Sequence, residues 1–208
     1  FAGHLNILKK RYGTRLLYLD AGDEFQGSIE SNIGEGAPLV SFFNGVGLNA
    51  ATLGNHEFDF GPVGPHPIPS PGEDPRGALR ARMAEARYPY LASNLVEEKT
   101  NRPPDLPNLF ADRIYQLGRV KVGVFGLMTS ETPSTTRAEN FSGYRIANLA
   151  NAARIAARKL REKGAEVVIL TAHVGLRCEF DTLEVRHELP APPRGGRRPA
   201  RCAPSACN

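Results

Sequence analysis

The chain has 208 residues, 41% hydrophobic and 23% charged, which suits one globular domain able to bury about 70% of its unfolded surface. No run approaches about 20 uninterrupted apolar residues, which excludes a transmembrane helix, and three cysteines exclude a dense disulfide scaffold. The formal net charge is +4, but four arginines and no acid fall within 190–208; the rest of the chain is neutral, with no electrostatic footprint for nucleic acid or membrane.

In chain order, Leu5, Ile7 and Leu8 beside Lys9, Lys10 and Arg11 read as a helix end over 1–11, stopped by Gly13. The apolar run 16–19 predicts a buried strand. Leu39, Phe42, Phe43 and Val46 share helical spacing and predict a helix over 38–46, followed by a buried strand over 49–53. The Gly- and Pro-rich segment 61–77 is expected to be loop. A surface helix over 78–87, a strand over 90–92 and a polar, proline-rich loop over 97–109 come next. Runs 113–117 and 120–127 flank Gly118-Arg119 and predict a hairpin. Leu149, Ala152, Ala153, Ala156 and Leu160 predict a helix capped by Asn148 and ended by Gly164, before a strand over 167–170. This alternation argues a layered α/β fold. From residue 190 onward Pro, Ala, Arg and Gly dominate without periodicity, so 190–208 is expected to be a disordered basic tail, a linker or an out-of-frame stretch. The first residue is Phe and no leader pattern is present, so the chain reads as a piece of a longer protein.

Three polar clusters follow predicted strands: 20–27 with Asp20 and Asp23, 54–61 with Asn55, His56, Glu57 and Asp59, and 171–175 with His173. In an open parallel sheet, loops at the carboxyl ends of strands converge on one rim. Asp23 and Asn55 lie about one strand–helix–strand unit apart, which allows neighbouring strand ends. Carboxylate, amide and imidazole donors together suit Zn²⁺, Mn²⁺ or Fe better than Ca²⁺ or a thiolate site. The glycines beside them are expected to let the backbone turn tightly. Taken singly, Asp23 could be a turn residue and His173 a buried structural histidine. Glu24 and Glu57 are expected to be solvated or to support their neighbours.

Gly54-Asn55-His56-Glu57-Phe58-Asp59 resembles the Gly-Asn-His-Glu/Asp signature of calcineurin-like metallophosphoesterases, and Asp20-Ala21-Gly22-Asp23 with Gln26-Gly27 resembles their preceding Gly-Asp motif. Extended to Gly61, the signature is most similar to the 5′-nucleotidase branch, which also holds cyclic phosphodiesterases, UDP-sugar hydrolases, apyrases and thiosulfohydrolases. The resemblance implies a four-layer α/β/β/α sandwich over 1–189, incomplete at both ends. It implies two divalent metal ions, with Asp23 bridging them and Asn55 and His173 as ligands of one. It implies that His56 contacts the reacting phosphate and that Asp59 orients His56.

The family's first motif, Asp-x-His, would precede the helix at residue 1, and no Gly-His-x-His follows Cys178. The expectation is therefore a metal-dependent hydrolase of a phosphate ester, a nucleotide before any other, with this piece weakly active or inactive. The partner expected is a small phosphate ester, not nucleic acid, and the family implies export. A non-catalytic module of the same fold and a thiosulfohydrolase relative are the alternative expectations.

Overall fold

A computed structural model of the chain describes residues 1–175. The expected boundary at 189, the tail from 190, His187 and all three cysteines lie outside the described residues. The first half runs α1 (Ala2–Tyr12), β1 (Leu19–Asp20), α2 (Ile29–Ile33), α3 (Ala37–Val46), β2 (Ala50–Thr52), α4 (Gly77–Glu85), β3 (Tyr90–Leu91) and β4 (Leu95–Glu97). Then follow β5 (Leu109–Phe110), β6 (Asp112–Leu117), β7 (Val120–Met128), α5 (Thr132–Thr135), α6 (Ala138–Phe141), β8 (Tyr144–Ile146), α7 (Leu149–Glu162) and β9 (Val167–His173).

The strands form two main sheets. β1, β2, β3 and β5 pair in that order, all parallel. β7 lies between β6, its antiparallel hairpin partner, and β9, its parallel partner. Gly118 takes φ +62° in the hairpin turn, a conformation that glycine adopts without a Cβ penalty. β2 and β3 lie against β7, and β2 also lies against β9. Alternation along the strands fixes what each face meets. Ala50 and Leu91 pack with Val122 and Val124 between the sheets, whereas Ala51, Leu53 and Tyr90 join Phe25, Val40, Phe43, Leu79 and Met83 beneath α3 and α4. On β7, Phe125 and Leu127 turn the other way and pack with Ala156 and Leu160 of α7. The layers are thus helix, sheet, sheet, helix, the four-layer α/β sandwich that the resemblance implied.

The local readings differ from the structure in instructive places. α7 begins where expected, with the Asn148 side chain accepting the Asn151 N–H at 3.0 Å. The strand expected over 16–19 is reduced to Leu19–Asp20. The loop expected over 97–109 is bounded by strands at both ends, because Glu97 closes β4 and Leu109 opens β5. β4 pairs antiparallel with β8, and no local pattern announces a partner so far along the chain. β9 continues past residue 170 to His173, aligned with Met128 on β7, so the strand carries His173 beyond the apolar run.

Candidate functional site

Parallel pairing of β1 with β2 sets Leu19 opposite Ala50 and Asp20 opposite Ala51, so the loops after Asp20 and Thr52 leave side by side. They approach more closely than side chains permit. A Cβ on Gly22 would lie 2.7 Å from the Gly54 nitrogen, and a Cβ on Gly54 would lie 2.2 Å from Asp23 Oδ1. Gly22 also has φ +102°, so it answers both to the turn and to the approach. Gly54 is required by the approach alone, a correction to the expectation that these glycines serve the turn. Asp23 itself has φ +65°, a left-handed backbone that non-glycine residues seldom take and that concentrates at functional sites.

Glu57 holds the two loops together. It is fully buried, and its carboxylate accepts the backbone N–H of Asp23 at 3.0 Å, of Phe25 at 3.3 Å, and of Glu24 and Gly54. Burial first, then the charge of Asp23, pushes its pKa up to about 7, while the N–H donors pull it back. Glu24 is buried too, its Oε2 accepting the Tyr88 and Tyr90 hydroxyls at 2.7 and 2.8 Å. Neither glutamate is solvated; of the two expectations for Glu57, support of its neighbours is the one the structure shows.

The three expected ligands meet. His173 Nε2 lies 3.1 Å from Asp23 Oδ2 and 3.1 Å from Asn55 Oδ1. His173 Nδ1 lies 3.1 Å from the Ala21 carbonyl oxygen, so Nδ1–H donates there and Nε2 is the nitrogen turned to the other two side chains. Two oxygens with lone pairs and one ring nitrogen thus converge, and such a set needs a cation between its members, a proton or a metal. The hydrogen bond to Asp23 raises the His173 pKa against the opposing effect of burial. For Asp23, burial is the largest influence and raises the pKa, but hydrogen bonds from His173 and the His56 N–H outweigh it and hold the carboxyl below its usual value. The donor chemistry fits one divalent ion of the Zn²⁺ or Mn²⁺ kind. Among the described residues no three His, Cys, Asp or Glu side chains gather around one point; the third donor here is the Asn55 amide.

His56 and Asp59 stand beside this cluster on one short 3₁₀ turn, with Asp59 directly after His56–Phe58. The His56 backbone N–H donates to Asp23 Oδ1 at 3.1 Å, and its Nδ1 is bonded to Asp59 Oδ2. Burial lowers the His56 pKa, yet the hydrogen bond and charge of Asp59, with Asp23 and Glu57 behind them, win and raise it above 6.5. Asn94, fully buried, donates to the Met128 carbonyl at 2.8 Å and accepts the Met128 N–H at 2.9 Å. It fixes the end of β7 beside which His173 sits, a role no motif in the sequence marks.

No protein-family model matches the chain. The chain is 30% identical to a snake venom 5′-nucleotidase from Crotalus adamanteus over 162 residues, 77% of this chain and 25% of that protein. It is 30% identical to an apyrase from Anopheles gambiae over 184 residues, 88% of this chain and 30% of that protein. Among solved structures, a 5′-nucleotidase precursor from Thermus thermophilus superposes with a TM-score of 0.66 at 25% identity, covering 84% of this chain and 31% of that one. The chain belongs to the 5′-nucleotidase-type metallophosphoesterases. The fold extends to the calcineurin-like phosphoesterase YfkN from Bacillus subtilis, with a TM-score of 0.60 at 22% identity over 85% of this chain and 54% of that one. This metallophosphoesterase chain spans about a quarter of the length of the snake venom 5′-nucleotidases it matches.

Proposed function

We propose that the chain carries metal-holding and acid–base residues of a hydrolase that cleaves phosphate esters of nucleotides. One observation supports this reading above the rest: Asp23, Asn55 and His173, from three separate chain segments, converge within 3.1 Å contacts beside the His56–Asp59 pair. Asp23, Asn55 and His173 would hold a divalent ion, Zn²⁺ or Mn²⁺, and the family resemblance adds a second ion that shares Asp23. Such ions, when bound, polarise phosphoryl oxygens and lower the pKa of water.

The chain's own residues supply the rest. With Nδ1 engaged by Asp59, Nε2 is the His56 nitrogen left to meet a substrate. The hydrogen bond and charge of Asp59 favour the protonated imidazole, the form that can hydrogen-bond a phosphoryl oxygen or protonate a leaving group through Nε2. Asp23 receives the His56 backbone N–H, so ligand and donor are held on one rigid unit, the preorganisation that in-line phosphoryl transfer demands. Nucleotides are the substrates that the relatives' names, 5′-nucleotidase and apyrase, support. Export is supported by the same relatives, a venom protein and a precursor; no described helix is long and apolar enough to cross a membrane.

The test is phosphate release from AMP and from p-nitrophenyl phosphate with Mn²⁺ or Zn²⁺ present. Slow release is expected, reduced about 100-fold by His56→Ala with metal uptake retained. No metal uptake, or release indifferent to His56→Ala, contradicts the reading.

A further inference from the structure

The His56–Asp59 pair does not stand alone. Asp59 gives Oδ2 to His56, while its Oδ1 accepts the Thr136 hydroxyl at 3.0 Å across 77 positions of sequence. Thr136 directly follows α5, and α6 begins two residues later. From α6, the fully buried Asn140 donates its amide to the carbonyls of Phe58 at 2.7 Å and Phe60 at 3.2 Å, the residues on either side of Asp59. Arg76 in turn donates to the carbonyls of Asn140 at 3.2 Å and Ser142 at 2.9 Å, and stacks 4.4 Å from the Tyr144 ring. The segment after β7 therefore grips the turn that carries the pair at three points, two on backbone and one on the carboxylate.

The grip on the carboxylate has a specific physical consequence. The torsion that turns an aspartate carboxylate about its Cβ–Cγ bond is broad and roughly two-fold. A carboxylate bonded through one oxygen can swing and still keep that bond. Bonded through both oxygens to partners from different elements, it has one orientation. Asn140 fixes the backbone from which Asp59 projects, and Thr136 fixes its torsion; the imidazole plane of His56 follows. We infer that Thr136 is a positioning residue that sets the orientation of His56 by holding the far oxygen of Asp59, with Asn140 fixing the backbone beneath. This rests on the proposed role of His56 in phosphate-ester hydrolysis. A hydroxyl here is not demanded by packing, since Thr136 is only half-buried, and it is not spent on its own helix end, where the Ser134 and Thr135 hydroxyls already bond to the Glu131 carbonyl.

The experiment compares the chain with Thr136→Val, which keeps the shape and loses the donor, and Thr136→Ser, which restores the donor. The first readout is the downfield imidazole proton of His56 in the proton NMR spectrum, assigned by its absence in His56→Gln. It should broaden or move upfield in Thr136→Val and return in Thr136→Ser. The second is hydrolysis of p-nitrophenyl phosphate with Mn²⁺. kcat should fall about tenfold in Thr136→Val, the value of one hydrogen bond to a charged group, with KM and Mn²⁺ uptake unchanged, and Thr136→Val should cost nothing more in an Asp59→Ala background. An unaltered imidazole proton in Thr136→Val, or a Thr136→Ser chain that behaves like Thr136→Val, overturns the inference. If no form of the chain takes up Mn²⁺, the hydrolase reading fails, while the NMR comparison still decides the role of Thr136; the same comparison decides it if the chain takes up Mn²⁺ but releases no phosphate.

Discussion

At Gly54 the signature motif shows why its residue types are not interchangeable. A methyl group there would occupy the position of the Asp23 carboxylate, so the glycine is the space into which the Asp23 side chain folds. We predict that Gly54→Ala destabilises the chain by about 1–3 kcal/mol, the usual cost of overpacking, and abolishes Mn²⁺ uptake in calorimetric titration; retained uptake would contradict the geometry. Glu24 makes a different prediction. Burial and then the charge of Glu57 push its carboxyl up to about 8 in the folded chain, against hydrogen bonds from Tyr88 and Tyr90, from 4.5 in the unfolded one. Between those values the native chain holds a proton that the unfolded chain has released, so stability falls as pH rises through that window. Glu24→Gln removes this contribution. Urea unfolding of the metal-free protein at pH 5 and pH 8 should show the parent losing more stability than the variant, and equal losses would refute the burial argument. The motif residues Asp23, Asn55, His56 and Asp59 were legible because their chemistry is written in type and order. Glu57 was legible only as one of two readings, solvated or supporting its neighbours, because an acidic residue that serves four backbone N–H groups looks, in sequence, like any surface acid.

At the scale of elements, β9 decides whether the site assembles. Period-two alternation puts Ile169, Thr171 and His173 on one face, and Ile169 packs between the sheets. Thr171 meets Thr52 of β2, hydroxyl to hydroxyl, at 2.6 Å, two residues before His173 reaches the ligand cluster. Between the sheets Gly126 leaves room for the Leu91 carbonyl, which a Cβ would approach to 2.2 Å. Thr171→Val should take from the buried Thr52 hydroxyl its side-chain partner while leaving it the Thr171 carbonyl at 3.2 Å, and cost about 0.5–1.5 kcal/mol, read by chemical denaturation, and should weaken Mn²⁺ uptake through the misplaced strand end. Unchanged stability would show that the hydroxyl pair does not register the sheets. Helices α3 and α7 were legible from their apolar spacing, and the β6–β7 hairpin from its turn. The β4–β8 pair and the far end of β9 were not. Pairing between strands some fifty positions apart is a tertiary choice, and the polar residues that end β9 break the apolar pattern by which a strand is recognised.

For the whole described unit, simple parts add up to one chemical arrangement. Two sheets covered by helices bring the ends of β1, β2 and β9 to a common rim, and each contributes one donor atom with its lone pairs turned inward. The residue types at that rim carry the resemblance to 5′-nucleotidases, and Asp23, Asn55 and His173 stand there within 3.1 Å contacts. The direct measurement is calorimetric titration of the metal-free chain with Mn²⁺ and Zn²⁺, beside Asp23→Asn, which keeps a side chain tolerant of the left-handed backbone while removing the charge, and beside His173→Ala. Saturable uptake by the parent, lost or weakened at least tenfold in both variants, is the result expected; uptake that is absent in the parent, or equal in all three, would contradict the convergence of Asp23, Asn55 and His173 on one ion.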